Sequence, residues 1–189
     1  MDERPGGWMR VSATIDSITA GLGHIVSWLA VVMVLVGALN AVARYLGRFV
    51  GRNLSSNTYL ELQWYLFSLI FLLGAAYALQ RDAHVRVDVI FARFSARVRA
   101  WINIFGTVFM LMPFCVFVLW FSWPAVRNSW QVREVSPNPG GLPVYPLKTV
   151  IMVCFGLLLL QAVSELIKEI RNLRTPVSAT YADHHVEGV

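Results

Sequence analysis

The stretch IVSWLAVVMVLVGALNAVA, residues 25–43, decides what kind of protein this is. It carries no charge, and the uncharged run around it extends from residue 17, just after Asp16, to residue 43, just before Arg44. A helix needs about 20 apolar residues to cross a hydrocarbon core of roughly 30 Å. Three more blocks of the same kind follow. They are LQWYLFSLIFLLGAAYALQ (62–80), INIFGTVFMLMPFCVFVLWF (102–121) and TVIMVCFGLLLLQAVS (149–164). Backbone N–H and C=O groups in lipid must be paired within their own segment, so each block is expected to be an α-helix. The alternation of a membrane β-barrel is absent. Composition agrees: 57% of the 189 residues are hydrophobic and 14% are charged, where a soluble domain is about one quarter charged.

The fold expected is therefore an all-α integral membrane protein. It has four transmembrane helices and a short interfacial amphipathic helix between helices 2 and 3. The spans are placed at about 22–45, 60–80, 100–123 and 147–167, within a membrane domain of 17–173. Residues 1–16 are assigned to a cytoplasmic segment, about 124–146 to a periplasmic loop, and 174–189 to a disordered cytoplasmic tail. Ala41 and Ala43 resemble a signal-peptide cleavage site. The uncharged run is much longer than a secretory h-region, so retention as a span is expected.

Four spans place both termini and the middle loop on one side. Ten of the 16 Lys and Arg residues fall there, which puts that side in the cytoplasm. Aromatic residues such as Tyr45, Tyr59, Trp64, Trp120, Trp123 and Trp130 cluster near the opposite ends, as interfacial belts do. The net charge of +5 is divided among short loops between apolar blocks. That suits anionic headgroups rather than nucleic acid.

The middle loop, RDAHVRVDVIFARFSARVR (81–99), holds five arginines. On a helix over about 87–99, Val87, Phe91, Phe94 and Val98 share one face, while Arg86, Arg93 and Arg97 share another. Such a helix lies flat in the membrane interface. His84 to Asp88 alternates instead, and Asp88 is placed near the helix start. Between the third and fourth spans, SPNPGGLPVYP (136–146) has too many prolines for a regular helix and a Gly140–Gly141 turn. Its Leu142, Val144 and Tyr145 suit a semi-rigid hairpin rather than a bare linker.

No nucleophile, metal or nucleotide motif is present, and neither catalytic residues nor a cofactor are expected. Cys115 and Cys154 lie inside apolar blocks and are read as inert. No Asp, Glu, Lys or Arg lies deep within a span, where an ion path usually places one. Asn40, Ser68, Asn103, Thr107 and Gln161 suit helix–helix hydrogen bonds, and Gly74 with Ala78 forms a small-residue pair. The physical reading is a membrane subunit without a pathway of its own. A membrane anchor subunit of a redox or other enzyme complex, or a small free-standing transporter, remain as alternatives.

Three features together are similar to the small permease subunit of tripartite ATP-independent periplasmic (TRAP) transporters, the DctQ-type family. One is Glu61 opening the second span in YLELQWYLF. Another is the run LLGAAYALQRDAHVRVDV. The third is the stretch from Glu134 through Ser136 to GGLPVYPLK before the fourth span. The likeness covers about residues 15–173. It implies a large permease subunit that holds the substrate and sodium sites, and a periplasmic solute-binding protein that delivers an organic acid. It also implies a bacterial inner-membrane location and a scaffolding role for the small subunit. Arg44, Glu61, Arg81, His84, Arg86 and Asp88 then become candidate contacts to the large subunit or to membrane lipids, with Arg44 and Glu61 as a possible ion pair. Glu134, Asn138, Gly140, Gly141, Leu142 and Tyr145 become candidates for a docking loop.

Overall fold

A computed structural model describes residues 7–51, 55–81 and 94–174. Helix α1 spans Gly7–Val50 and α2 spans Asn57–Gln80. Helix α3 is continuous through Ala96–Gly106, a π-helical turn Thr107–Leu111 and Met112–Gln131. Helix α4 spans Tyr145–Arg174. All four are long and apolar enough to cross a membrane, which makes this a multi-pass membrane protein.

The elements extend past the spans read from hydropathy. With 44 residues, α1 is about 66 Å long, roughly twice the hydrocarbon thickness. Its first turns carry Ser12 and Asp16, so the stretch assigned to an N-terminal segment is helical from Gly7 onward. Residues 96–99 form the first turn of α3 rather than the end of a separate interfacial helix. Ser95 precedes them with extended backbone (φ −63°, ψ 155°), which breaks any helix arriving from residue 94. The rest of the expected interfacial helix lies outside the described residues, as does the C-terminal tail from residue 175. Helix α3 also continues through Pro124, where the loop was expected to begin, and ends at Gln131. Burial of Val126 and Ser129 holds that last stretch in place.

Local chemistry sets the helix ends. Ser56 caps α2, its Oγ accepting from the Thr58 N–H at 3.2 Å. Pro146 sits in the first turn of α4, where its missing N–H costs nothing. In α3, Pro113 has no N–H to offer the Phe109 carbonyl. The helix answers just upstream with the π turn, in which the Met112 N–H reaches back to the Thr107 carbonyl.

Helix α4 is the centre of the bundle. It packs against α1, α2 and α3, and α1 also packs along α2. In its most apolar stretch 22% of residues are buried, against 6–11% in the other three helices. Ala76 of α2, Cys115 of α3, and Cys154 and Leu158 of α4 form one apolar cluster. Both thiols are free and buried there.

The buried residues of α1 are small or polar: Ser12, Thr19, Gly23, Asn40 and Gly47. They recur at helical spacing along one seam. The large apolar side chains, Trp28, Leu35, Leu39 and Phe49 among them, point outward. That is the reverse of a soluble helix and the usual pattern in lipid, where small residues let backbones approach. Gly23 lies under the Tyr77 ring and Gly37 under the Gln63 amide; a Cβ at either position would collide with those side chains. Gly74 is in ordinary contact, its position 3.7 Å from Val26 when a Cβ is added. Close approach of α1 and α2 therefore rests on two glycines of α1, not on the Gly74–Ala78 pair.

Candidate functional site

Residues 132–144 fold as a hairpin over the start of α2. Arg133, with φ +46°, turns the chain out of α3, and the Glu134 N–H closes that turn on the Ser129 carbonyl at 3.0 Å. Val135 and Pro143 make an antiparallel bridge, and the Ser136 N–H reaches the Leu142 carbonyl at 3.0 Å. Two glycines make the tip. Gly140 has φ +73°, a conformation that other residues adopt only with strain. A Cβ on Gly141 would overlap the Ser136 carbonyl.

Glu61 organises this hairpin. It is only 6% exposed. Its Oε2 accepts the Leu142 N–H at 2.7 Å, and its Oε1 accepts from Asn138 Nδ2 at 2.9 Å and from Ser136 Oγ. A carboxylate turned away from water needs its lone pairs met, and these donors meet them. Neighbours along the same stretch of α2 extend the clasp. Asn57 Nδ2 donates to the Pro139 carbonyl at 3.0 Å and Thr58 Oγ1 to the Gly140 carbonyl at 3.1 Å. The Tyr65 hydroxyl donates to the Pro143 carbonyl.

The structure thus brings Glu61 together with Asn138, Gly140, Gly141 and Leu142, two groups of candidates that sequence reasoning kept apart. It separates Glu61 from Arg44. Both Glu61 oxygens are engaged by the hairpin, and Arg44 instead lines a groove between α1 and α2. Glu134 pairs with Lys148 across the base of the hairpin. The Lys148 hydrogen bond holds the Glu134 carboxyl below its ordinary value of 4.5. Tyr145 packs edge-on against Trp130, centroids 4.6 Å apart, where α4 begins. Arg81 ends α2, its N–H on the Tyr77 carbonyl at 3.0 Å and its guanidinium 5.4 Å from the Tyr77 ring centre. His84, Arg86 and Asp88 lie outside the described residues.

A second polar cluster joins the helices at the end that carries both termini; the sequence offered its Gln161 and Asn103 as helix–helix hydrogen-bonding residues but not its charged members. Lys168 Nζ lies 2.8 Å from Asp16 Oδ2 and 2.9 Å from Glu165 Oε1. Gln161, fully buried, donates to Asp16 at 2.9 Å and to Glu165 at 3.0 Å, and accepts from Thr19 at 2.9 Å. Ser164 donates to Asp16 at 2.9 Å and lies 2.7 Å from the Ser12 hydroxyl. Gln80 of α2 reaches the Asp16 carbonyl at 2.8 Å, and Asn103 of α3 bonds Glu169. Every helix is thereby tied in. The available signal was spacing: Ser12, Asp16 and Thr19, like Gln161, Ser164 and Lys168, recur at intervals of three and four.

Both clusters hold helices and loop to one another, and in the second Glu165 and Glu169 also line a groove of about 300 Å³ with Asn103 and Thr107 of α3. Among the described residues no group of three His, Cys, Asp or Glu side chains is placed to hold a metal. Comparison with known proteins gives the arrangement a context. The family model for the DctQ component of tripartite ATP-independent periplasmic transporters matches residues 33–172. A curated relative is the isethionate TRAP transporter permease protein DctMQ of Oleidesulfovibrio alaskensis, 25% identical over 176 residues. That match covers 90% of this chain but 26% of the relative, so the chain spans about a quarter of that protein's length. No solved structure matches the chain.

Proposed function

Because this chain belongs to the DctQ component family of TRAP transporters, a family of transporter components rather than enzymes, we propose that it is the stationary small subunit beside a large permease subunit. The pair serves sodium-driven uptake of an organic acid delivered by a periplasmic solute-binding protein. Substrate and sodium sites belong to the large subunit. Both termini face the cytoplasm, as the arginine and lysine distribution indicates, which puts the hairpin at the periplasmic face.

The observation that carries this reading is where the polar side chains are spent. The carboxylates of Glu61 and Asp16 are consumed in joining helices and hairpin at the two ends of the bundle. Between them the large apolar side chains of α1 and α3 face outward, available to lipid and to a partner. A chain built this way braces; it does not rock around a midplane site as secondary transporters do. Because the relative from Oleidesulfovibrio alaskensis is an isethionate TRAP transporter permease, isethionate is the first solute to try.

The test is reconstitution. Liposomes with the small subunit alone should take up no solute under a sodium gradient. Adding the large subunit and the binding protein should give uptake, and omitting the small subunit should abolish it. Uptake by this chain alone would sink the scaffold reading. The hairpin's exposed side, including Val135 and Pro137, is the surface offered to the binding protein. A Val135→Glu substitution, which spares the Glu61 contacts, should weaken that protein's affinity for the assembled permease.

A further inference from the structure

At the hairpin end of the bundle, the seam between α1 and α2 carries a groove of about 390 Å³. Arg44 and Arg48, one helical turn apart on α1, stand at its mouth with Tyr45, and the Arg48 guanidinium lies 5.6 Å from the Tyr45 ring centre. Neither arginine is in a salt bridge among the described residues. Asn40 lies one turn deeper in the same lining. It is 3% exposed, and its Oδ1 is buried with no hydrogen-bond partner. A buried acceptor left open costs about 1–3 kcal/mol, so an unpaired one beside a cavity marks a place where a donor belongs.

The groove does not stop there. Leu60 and Gln63 also line a second compartment of about 390 Å³, whose other walls are Met33, Trp64 and Phe67. That compartment is apolar and runs from the arginines toward the middle of the bilayer. From Met33 to Arg48 is fifteen residues of α1, about 22 Å at 1.5 Å per residue. Half of a bilayer including headgroups is about the same. Two guanidiniums at an interface and an apolar compartment beyond them, together about one leaflet deep, match one kind of molecule.

We propose that this compound groove binds one anionic phospholipid of the bilayer. Its phosphodiester sits between Arg44 and Arg48, its glycerol-ester region passes Asn40, and one acyl chain lies along Met33, Leu60 and Phe67. Guanidinium forks suit phosphate oxygens. The absence of any carboxylate from the lining favours net negative charge. A free phosphate or a carboxylate solute would use the arginines and leave the apolar half without a role. The groove lies within the small subunit, so this inference does not depend on which solute the transporter carries.

Native mass spectrometry of the purified full chain tests it. The chain is delipidated in mild detergent and titrated separately with phosphatidylglycerol, phosphatidylethanolamine and inorganic phosphate. One tightly held phosphatidylglycerol is expected, favoured over phosphatidylethanolamine, with no retained phosphate. R44Q/R48Q should reduce its occupancy at least tenfold. R127Q/R133Q, which removes equal charge elsewhere at the same end of the bundle, should leave it unchanged. M33W, which fills the apolar half, should reduce it as well. Should the double glutamine variant fail to fold by circular dichroism, R44K/R48K serves in its place and should weaken retention without abolishing it. Unchanged retention in the arginine variants overturns the proposal. So does equal retention of phosphatidylethanolamine, or arginine-dependent capture of inorganic phosphate that matches the lipid.

Discussion

The two ends of the bundle solve the same problem by different means. At the terminal end, Asp16 and Lys168 are an ion pair set between helices, and the remaining lone pairs of Asp16 are met by Gln161 and Ser164. Every partner is a side chain at a helical spacing, so register between α1 and α4 decides whether the cluster forms. At the hairpin end, Glu61 has no counter-charge among its contacts. A backbone N–H and two neutral side chains from a segment with no regular structure supply its donors. The lesson is that a carboxylate near a membrane surface can pin either a helix or a loop. The choice depends on whether its donors come from side chains fixed by helix geometry or from backbone freed by prolines.

The sharpest way to break the comparison is at Glu61. E61Q keeps the shape but removes the charge that draws three donors, and one of its oxygens becomes a donor itself. The hairpin should open locally, seen as proteolysis within residues 134–144 at least about tenfold faster than in the parent, with little change in global melting. Cleavage at the parental rate would mean that Asn57, Thr58 and Tyr65 hold the hairpin unaided.

At the other end, D16A takes one partner each from Lys168, Gln161 and Ser164, leaving Glu165 and Ser12 to them. Unfolding in detergent should become easier by about 2 kcal/mol, a partly exposed pair lying below the cost of breaking a fully buried one. Exchanging the charges in D16K/K168D should restore only part of that, because Gln161 and Ser164 still lack their acceptor. Full restoration would reduce the cluster to a simple ion pair.

A smaller effect is expected at the hairpin tip. G140A should cost about 1 kcal/mol, since alanine is strained at φ +73° and its Cβ would come 2.8 Å from Thr58 Oγ1. Hydrogen exchange of the Leu142 amide would read it. The smallest is the pH response of Glu134. Its carboxyl titrates below the ordinary 4.5 because Lys148 is hydrogen-bonded to it. The stabilisation is therefore complete above 4.5 and fades as pH falls through the lower, folded-state value. Hairpin protection should drop over that acidic window, and E134Q should remove the dependence.

How far the chain could be read in advance depended on the kind of interaction. Glu61 stood out through the family likeness, as the acidic residue that opens the second span. Its partner was misassigned to Arg44 because opposite charges are the obvious match in a sequence, while a backbone N–H such as that of Leu142 carries no mark at all. Asp16 was set outside the membrane domain because hydropathy ends a span at its first charge, whereas a helix continues as long as its backbone is paired. Of the seam of Ser12, Thr19, Gly23, Gly37 and Asn40, only Asn40 was marked as a helix–helix contact. In lipid, where every large side chain is at home outside, those small and polar positions are the interior.

By itself the amino-acid sequence determined that this protein is four membrane helices, because apolar blocks of that length leave their backbone no other way to stay hydrogen-bonded in lipid. It also carried enough pattern to point to the family. Only the tertiary structure decided that α4 is the hub, that α1 turns its small residues inward, and that Glu61 belongs to a hairpin 75 to 81 residues away. Those choices rest on directional hydrogen bonds and close backbone approach; spacing along a helix marks which residues share a face, but which helix or loop they meet depends on three-dimensional distance.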